Sequence, residues 1–189
     1  MTKKKFWEDP YLTHLDTFIT SVKETDVTVE QTIFFAFSGG QESDYGTIGD
    51  RRVLQARAEG REIVYILENG HGLKPGDQVS MKIDWERRFK LMRLHFAAEI
   101  VLELVYQKLG SIRKVGAHIA QDKARIDFEW DENISIVFPV IQKEALRMIE
   151  ANQEIISAFS DEEKEKRYWK IRGFAQVPCG GTHLKKTGE

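Results

Sequence analysis

A single cysteine, Cys179, stands among 189 residues, so no disulfide can close within the chain and a disulfide-stapled scaffold is excluded. No apolar run approaches the roughly 20 residues that a membrane-spanning helix needs. The N-terminus, MTKKKFWEDP, has lysines with no apolar stretch behind them, and so lacks the pattern of a secretory signal. Neither sign of charge dominates. The 28 Lys and Arg against 30 Asp and Glu leave a net charge of -2, which excludes a uniformly basic nucleic-acid coat but allows a local basic face. Internal repeats and low-complexity segments are also absent. These absences point to a cytoplasmic chain with no membrane partner. An apolar content of 41% suffices for a real core in one domain or two small ones.

The first eighty or so residues read as β-rich. Val27 to Phe37, VLQARAEG, EIVYILENG and GDQVSMKIDW are short runs rich in Val, Ile, Thr and aromatics, parted by Gly-containing turns. Strands at this spacing suggest a small barrel or sandwich. Between two of them lies a Gly-rich loop, Ser38-Gly39-Gly40-Gln41. From Trp85 to Leu109 no Gly or Pro interrupts, and Phe89, Met92, Phe96, Ile100 and Leu104 follow a helical period. Asp84 fits an N-cap and Gly110 a C-terminal stop. Then come β-like segments (KVGAHIAQ, ARIDFEW, ISIVF), a helix over about 139–151, and a strand at IISAF. Ser160 to Glu163 reads as a capping box opening a short charged helix. RGFAQVP is extended and delivers the chain to Cys179. The mixture lacks a βαβ alternation, so the class is α+β. The expected division is 1–84, a small N-terminal β-barrel, and 85–189, an α+β domain with the long helix packed on an antiparallel sheet.

Two pairs of residues carry chemistry. His95 and Glu99 are four apart on the long helix and so share a face. Cys179 and His183 are four apart near the end, with two glycines between them that permit a tight turn. Imidazole, carboxylate and thiolate are all zinc ligands. Taken separately each pair is weak: a lone helical His is more often a core or surface residue, and a lone Cys a small hydrophobe. His14, His71 and His118 have no partner at ligand spacing. Tyr168 and Trp169 read as packing residues.

The longer context is more specific. DWERRFKLMRLHFAAEIVLELVYQKLG, followed some seventy residues later by VPCGGTHLKKTGE, resembles the editing domain of alanyl-tRNA synthetases and its freestanding relatives, the alanyl-tRNA editing proteins. QTIFFAFSGGQESDYGTI is similar to that family's strand and Gly-rich loop, so the resemblance covers nearly the whole chain. It implies the type that keeps an N-terminal barrel. It also implies one Zn2+ held by an HxxxH pair on the helix and a CxxxH pair near the end. Carried over, His95, Cys179 and His183 match, whereas the second helix histidine is Glu99 here. Phe96 stands where the family often has Thr, and Ser38 where Gly is usual. Glu99 then has three readings: a fourth ligand, a general base beside a three-ligand metal, or a group paired with His95 or an Arg in a site that has lost zinc. If it is a ligand, restoring His at this position is expected to tighten metal binding.

The resemblance implies a hydrolase that deacylates tRNA(Ala) mischarged with serine, and glycine as well. Such editing exists because a pocket sized for alanine rejects these neighbours weakly. It implies a role for Gln41 as the polar partner of the serine hydroxyl, and the general-base reading gives Glu99 a catalytic role. The plain reading of the Gly-rich loop is a turn that needs positive φ. A tRNA partner needs cations, and Arg87, Arg88, Lys90, Arg93, Lys185 and Lys186 flank the ligand pairs; their plain reading is a solvated surface. Two alternatives remain at this point. One is a non-catalytic tRNA- or partner-binding relative with a degenerate metal site, and the other is a hydrolase of a different small aminoacyl ester.

Overall fold

A computed structural model describes residues 1–110 and 112–189. The chain divides into two compact units, Met1–Lys90 and Leu91–Glu189, and the division falls inside the long helix. The class is α+β.

The first unit contains β1 (Lys3–Lys4), β2 (His14–Lys23), β3 (Asp26–Val29), β4 (Gln31–Thr32), β5 (Gly46–Ile48), β6 (Arg51–Glu59), β7 (Glu62–Leu67) and β8 (Gln78–Ile83). Antiparallel pairing runs β2-β3-β7-β6-β5-β8 and returns to β2, so the ladder closes on itself. Closure removes exposed sheet edges and gives every strand an inward face. Ile19, Val27, Ile48, Ile63, Tyr65, Leu67 and Met81 fill that interior together with Ile33 and Phe34. The Tyr65 hydroxyl, fully buried, finds Thr32 Oγ1 at 2.5 Å. β2 carries no clear apolar alternation in sequence, because polar Thr17 is buried beside Ile19 while Phe18 is exposed. It also carried the strand from Val27 through to Phe37, whereas β4 ends at Thr32.

β5 is short and sits between β6 and β8. A Cβ on Gly46 would lie 2.0 Å from the Lys82 carbonyl oxygen and 2.7 Å from Phe34 Cζ. Gly46→Ala is therefore expected to lose about 1–3 kcal/mol, because the backbone, not a flexible side chain, must give way. Urea unfolding measures this, and an unchanged midpoint would refute the close-approach role.

Helix α1 (Trp85–Leu109) opens at Asp84, whose Oδ1 accepts the Arg87 backbone N–H at 3.1 Å, and stops at Gly110 with φ +67°. It buries Leu91, Met92, Phe96, Ile100, Leu102, Leu104 and Val105, which lie on several faces rather than one stripe. The second unit adds the antiparallel pair β9 (Arg113–Ile119) and β10 (Ala124–Glu129), helix α2 (Phe138–Glu150), and β11 (Ile156–Asp161), β12 (Lys166–Ile171) and β13 (Ala175–Pro178). The last three form one antiparallel sheet in the order β11-β12-β13.

Two local expectations fail. ISIVF is not a strand: Ile134–Val137 is a single 3-10 turn leading into α2. The Asn133 side chain caps it by accepting the Ser135 N–H, and Pro139 presets the first turn of α2. A run of five residues has too little periodicity to tell these cases apart. Nor does Ser160–Glu163 open a helix. The strand runs on to Asp161, whose Oδ1 accepts the Lys164 N–H, and Glu165 at φ +54° completes a tight return to β12. Among the described residues no helix is long and apolar enough to cross a membrane.

Candidate metal centre

α1 carries His95 and Glu99, and β13 delivers Cys179 beside them. Register fixes that delivery, because the Cys179 N–H donates to the Arg167 carbonyl on β12 at 3.0 Å. His183 follows on the same terminal segment, and Thr182, His183 and Leu184 are all buried. Gly180 does not have a positive φ, so at that residue the turn does not use the left-handed region.

The donor atoms lie close together. His95, Cys179 and His183 offer one donor each, all within 4.8 Å of one another. Cys179 Sγ is 3.5 Å from His95 Nε2 and 3.3 Å from His183 Nε2. Glu99 Oε1 is 3.3 Å from His95 Nε2 and 3.7 Å from Cys179 Sγ. Bond lengths of about 2.0–2.3 Å in a tetrahedral zinc site put its ligand atoms about 3.3–3.8 Å apart, and these four of the six donor separations fall on that scale. His95, Cys179 and His183 therefore fit zinc by donor type and by spacing, and Glu99, outside that mutually close set, lies near two of them.

Each ligand group is held from behind. His95 Nδ1–H points to the Thr182 carbonyl at 3.4 Å, and His183 Nδ1 is hydrogen-bonded to Ser157 Oγ at 2.9 Å. Held in this way, both rings turn Nε2 toward the cluster, as an outer hydrogen bond orients a metal-binding imidazole. The Trp169 indole N–H donates to Glu99 Oε2 at 3.0 Å. Phe96 packs edge-on against the Trp169 ring at 5.2 Å and against His183 at 5.8 Å.

The electrostatics follow from this crowding. Burial works to lower the His95 pKa, but hydrogen bonds to Cys179 and Glu99, with their charges, raise it to about 10. Burial works to raise the Glu99 carboxyl, but hydrogen bonding to His95, its charge and the Trp169 N–H hold it below the ordinary value. His183 is pushed well below the ordinary imidazole value by burial first, then by the charges of His95 and Arg167. The same crowding thus shifts the two imidazoles of the cluster in opposite directions.

Ser157, Thr182 and Trp169 were not among the residues singled out from sequence as functional. Only Thr182 lay in a motif, CGGTH; nothing local marks Ser157 or Trp169, which reach the site through strand pairing.

The basic residues divide sharply. Arg88 is fully buried, its guanidinium paired with Asp44 and donating to the Pro10 and Ile33 carbonyls, so it is not a phosphate contact. Arg87 is 5% exposed, with bonds to Glu42 and the Ser43 carbonyl and its guanidinium 3.8 Å over the Tyr45 ring. Both side chains are structural parts of the first unit, because a buried guanidinium must satisfy its donors locally. Lys90, Arg93, Lys185 and Lys186 are exposed. In the Gly-rich loop Gly39 and Gly40 have φ +60° and +90°, so a turn that needs positive φ is present. Ser38 and Gln41 exchange backbone hydrogen bonds across it, and Gln41 is buried.

No family model matches the chain. It is 32% identical to the alanyl-tRNA editing protein AlaX-M of Pyrococcus horikoshii, over 100% of this chain and 88% of that protein. It is 30% identical to the protein of the same name from Methanosarcina acetivorans, over 100% of this chain and 90% of the relative. An alanine–tRNA ligase of Ignicoccus hospitalis is 32% identical across the whole chain, which there spans 23% of the ligase. With identity of this order running end to end in a freestanding relative, the chain belongs to the family of alanyl-tRNA editing proteins.

Proposed function

We propose that this protein is a trans-editing hydrolase that removes serine, and glycine as well, from mischarged tRNA(Ala), using one zinc ion held by His95, Cys179, His183 and Glu99. The observation that carries the reading is the set of four donor separations on the scale of a tetrahedral zinc site, with both imidazoles turned Nε2-inward. When bound, the ion supplies positive charge for the oxyanion that develops during ester hydrolysis and a fixed point for orienting the aminoacyl end. The chain's own residues do the rest. Ser157 and the Thr182 carbonyl orient the imidazole rings, and Glu99 brings a negative charge that partly offsets the metal. Of Glu99's two oxygens one is tied to Trp169, which favours the ligand reading over a free general base.

The proposed division of labour keeps residues 1–84 as a barrel module carrying the Gly-rich loop and 85–189 as the metal-binding editing module. Gln41 is the candidate partner for the serine hydroxyl. Lys90, Arg93, Lys185 and Lys186 are the candidate phosphate contacts, being the exposed members of the basic set.

Deacylation of seryl-tRNA(Ala) by the purified protein, with Zn2+ and after chelation, tests this. Zinc-dependent release of serine that spares alanyl-tRNA(Ala) is expected. Folded protein that releases nothing in either condition would favour a non-catalytic tRNA-binding relative, and release of another amino acid from a panel of charged tRNAs would move the substrate class.

A further inference from the structure

Glu99 and Trp169 lie seventy residues apart in the chain and meet through a single hydrogen bond. Trp169 is fully buried on the middle strand of the β11-β12-β13 sheet, paired with Ser157 on one side and Val177 on the other. Its ring is held by Phe96 edge-on at 5.2 Å and by Phe174 stacked at 6.4 Å, so the direction of its N–H is set by packing. That N–H needs an acceptor, because a buried unpaired donor costs about 1–3 kcal/mol. The acceptor is Glu99 Oε2, which leaves Oε1 on the side of His95 and Cys179.

We propose that Trp169 is a positioning residue that makes a carboxylate the required group at position 99, by holding one oxygen and aiming the other into the His95–Cys179–His183 cluster. The inference rests on the zinc reading above and deepens it. A carboxylate can serve indole and metal together because it has two oxygens. A neutral imidazole has one lone pair, so a histidine at this position could accept the indole N–H or ligate a metal, but not both. The expectation that restoring histidine would by itself tighten metal binding therefore fails while Trp169 is present. Phe96 belongs to the same adaptation, since its ring packs on Trp169 and on His183.

Zinc affinity is measured by competition with a chromogenic chelator for the wild type, Trp169→Phe, Glu99→His and the double variant. Phenylalanine keeps most of the ring packing and removes only the donor. Trp169→Phe should weaken Zn2+ binding about 10- to 100-fold where Glu99 is present. In the Glu99→His background the same replacement should strengthen it. That reversal of sign is the result a merely structural role cannot produce. A loss of equal size in both backgrounds, or no change in either, overturns the proposal. Wild-type protein that takes up no Zn2+ overturns the zinc reading and this inference together, and is told apart by the first titration alone. If Trp169→Phe does not fold, the indole N–H resonances of the wild type and Glu99→Ala decide the matter. One of the four tryptophans should show a downfield N–H that is lost in Glu99→Ala. Identical indole spectra would overturn the hydrogen bond and the proposal with it.

Discussion

Cys179→Ala is expected to weaken Zn2+ binding by about two orders of magnitude and to bring seryl-tRNA(Ala) deacylation down with it. Four donors share the roughly 12 kcal/mol that such a site supplies at neutral pH, so one donor's share is about 3 kcal/mol, or about a hundredfold. The sulfur is also the hub of the cluster, lying within 3.7 Å of donors on His95, His183 and Glu99. Equilibrium dialysis against buffered Zn2+ gives the affinity, and unchanged uptake by Cys179→Ala would refute the metal centre. The same titration should depend on pH in a defined direction. In the metal-free protein the His95 pKa is raised to about 10, so at neutral pH a bound proton must leave before the ring can ligate. Affinity should therefore rise with pH through the neutral range, by up to about tenfold per unit for the proton displaced from His95. The sign for folding is opposite. The raised pKa stabilises the metal-free protein fully below the ordinary value of 6.5 and loses that contribution as pH climbs through about 10.

Asp44→Ala is expected to destabilise the protein by about 3–5 kcal/mol, because it strands a fully buried guanidinium. Both side chains of the Arg88–Asp44 pair are inaccessible to solvent. The carboxylate takes a two-pronged contact from Arg88 and accepts the Phe35 N–H at 2.6 Å through Oδ2. Arg88 spends its remaining donors on the Ile33 carbonyl at 2.6 Å and the Pro10 carbonyl at 2.8 Å. One charged pair thus ties the start of α1 to the segments on either side of the Gly-rich loop. At this chain length a loss of that size lowers the melting temperature by roughly 10 °C. Replacing Arg88 with methionine and Asp44 with leucine together should cost less than Asp44→Ala alone, since no charge is then left unpaired. Thermal unfolding of the two variants compares them, and a single variant milder than the double would contradict the account.

Much of the architecture was legible in the chain. The 25-residue helix lies at the residues its uninterrupted period marks, capped by Asp84 and stopped by Gly110. The runs VLQARAEG, EIVYILENG and GDQVSMKIDW became β6, β7 and β8. The errors fall where local pattern is degenerate. ISIVF has strand composition, but the cap at Asn133 and the proline at 139 turn it into a helix entry. Ser160–Glu163 has a helix-start pattern, but strand pairing of β11 with β12 runs through its first residues. Tertiary pairing overrides a four-residue preference because it satisfies more backbone groups at once.

For the candidate site, the sequence by itself offered the candidate donors, His95 and Glu99 four apart on a helix and Cys179 and His183 four apart near the end, of which His95, Cys179 and His183 come within 4.8 Å of one another. It could not separate Arg88 from Lys90, since a basic residue on a helix reads alike whether its head is solvated or buried against an aspartate 44 positions away. Nor could it show that Ser157 and Trp169, cross-strand partners in one sheet, hold His183 and Glu99. Those contacts arise only when strands pair, because pairing register brings distant side chains to the same place while the local sequence around each stays ordinary.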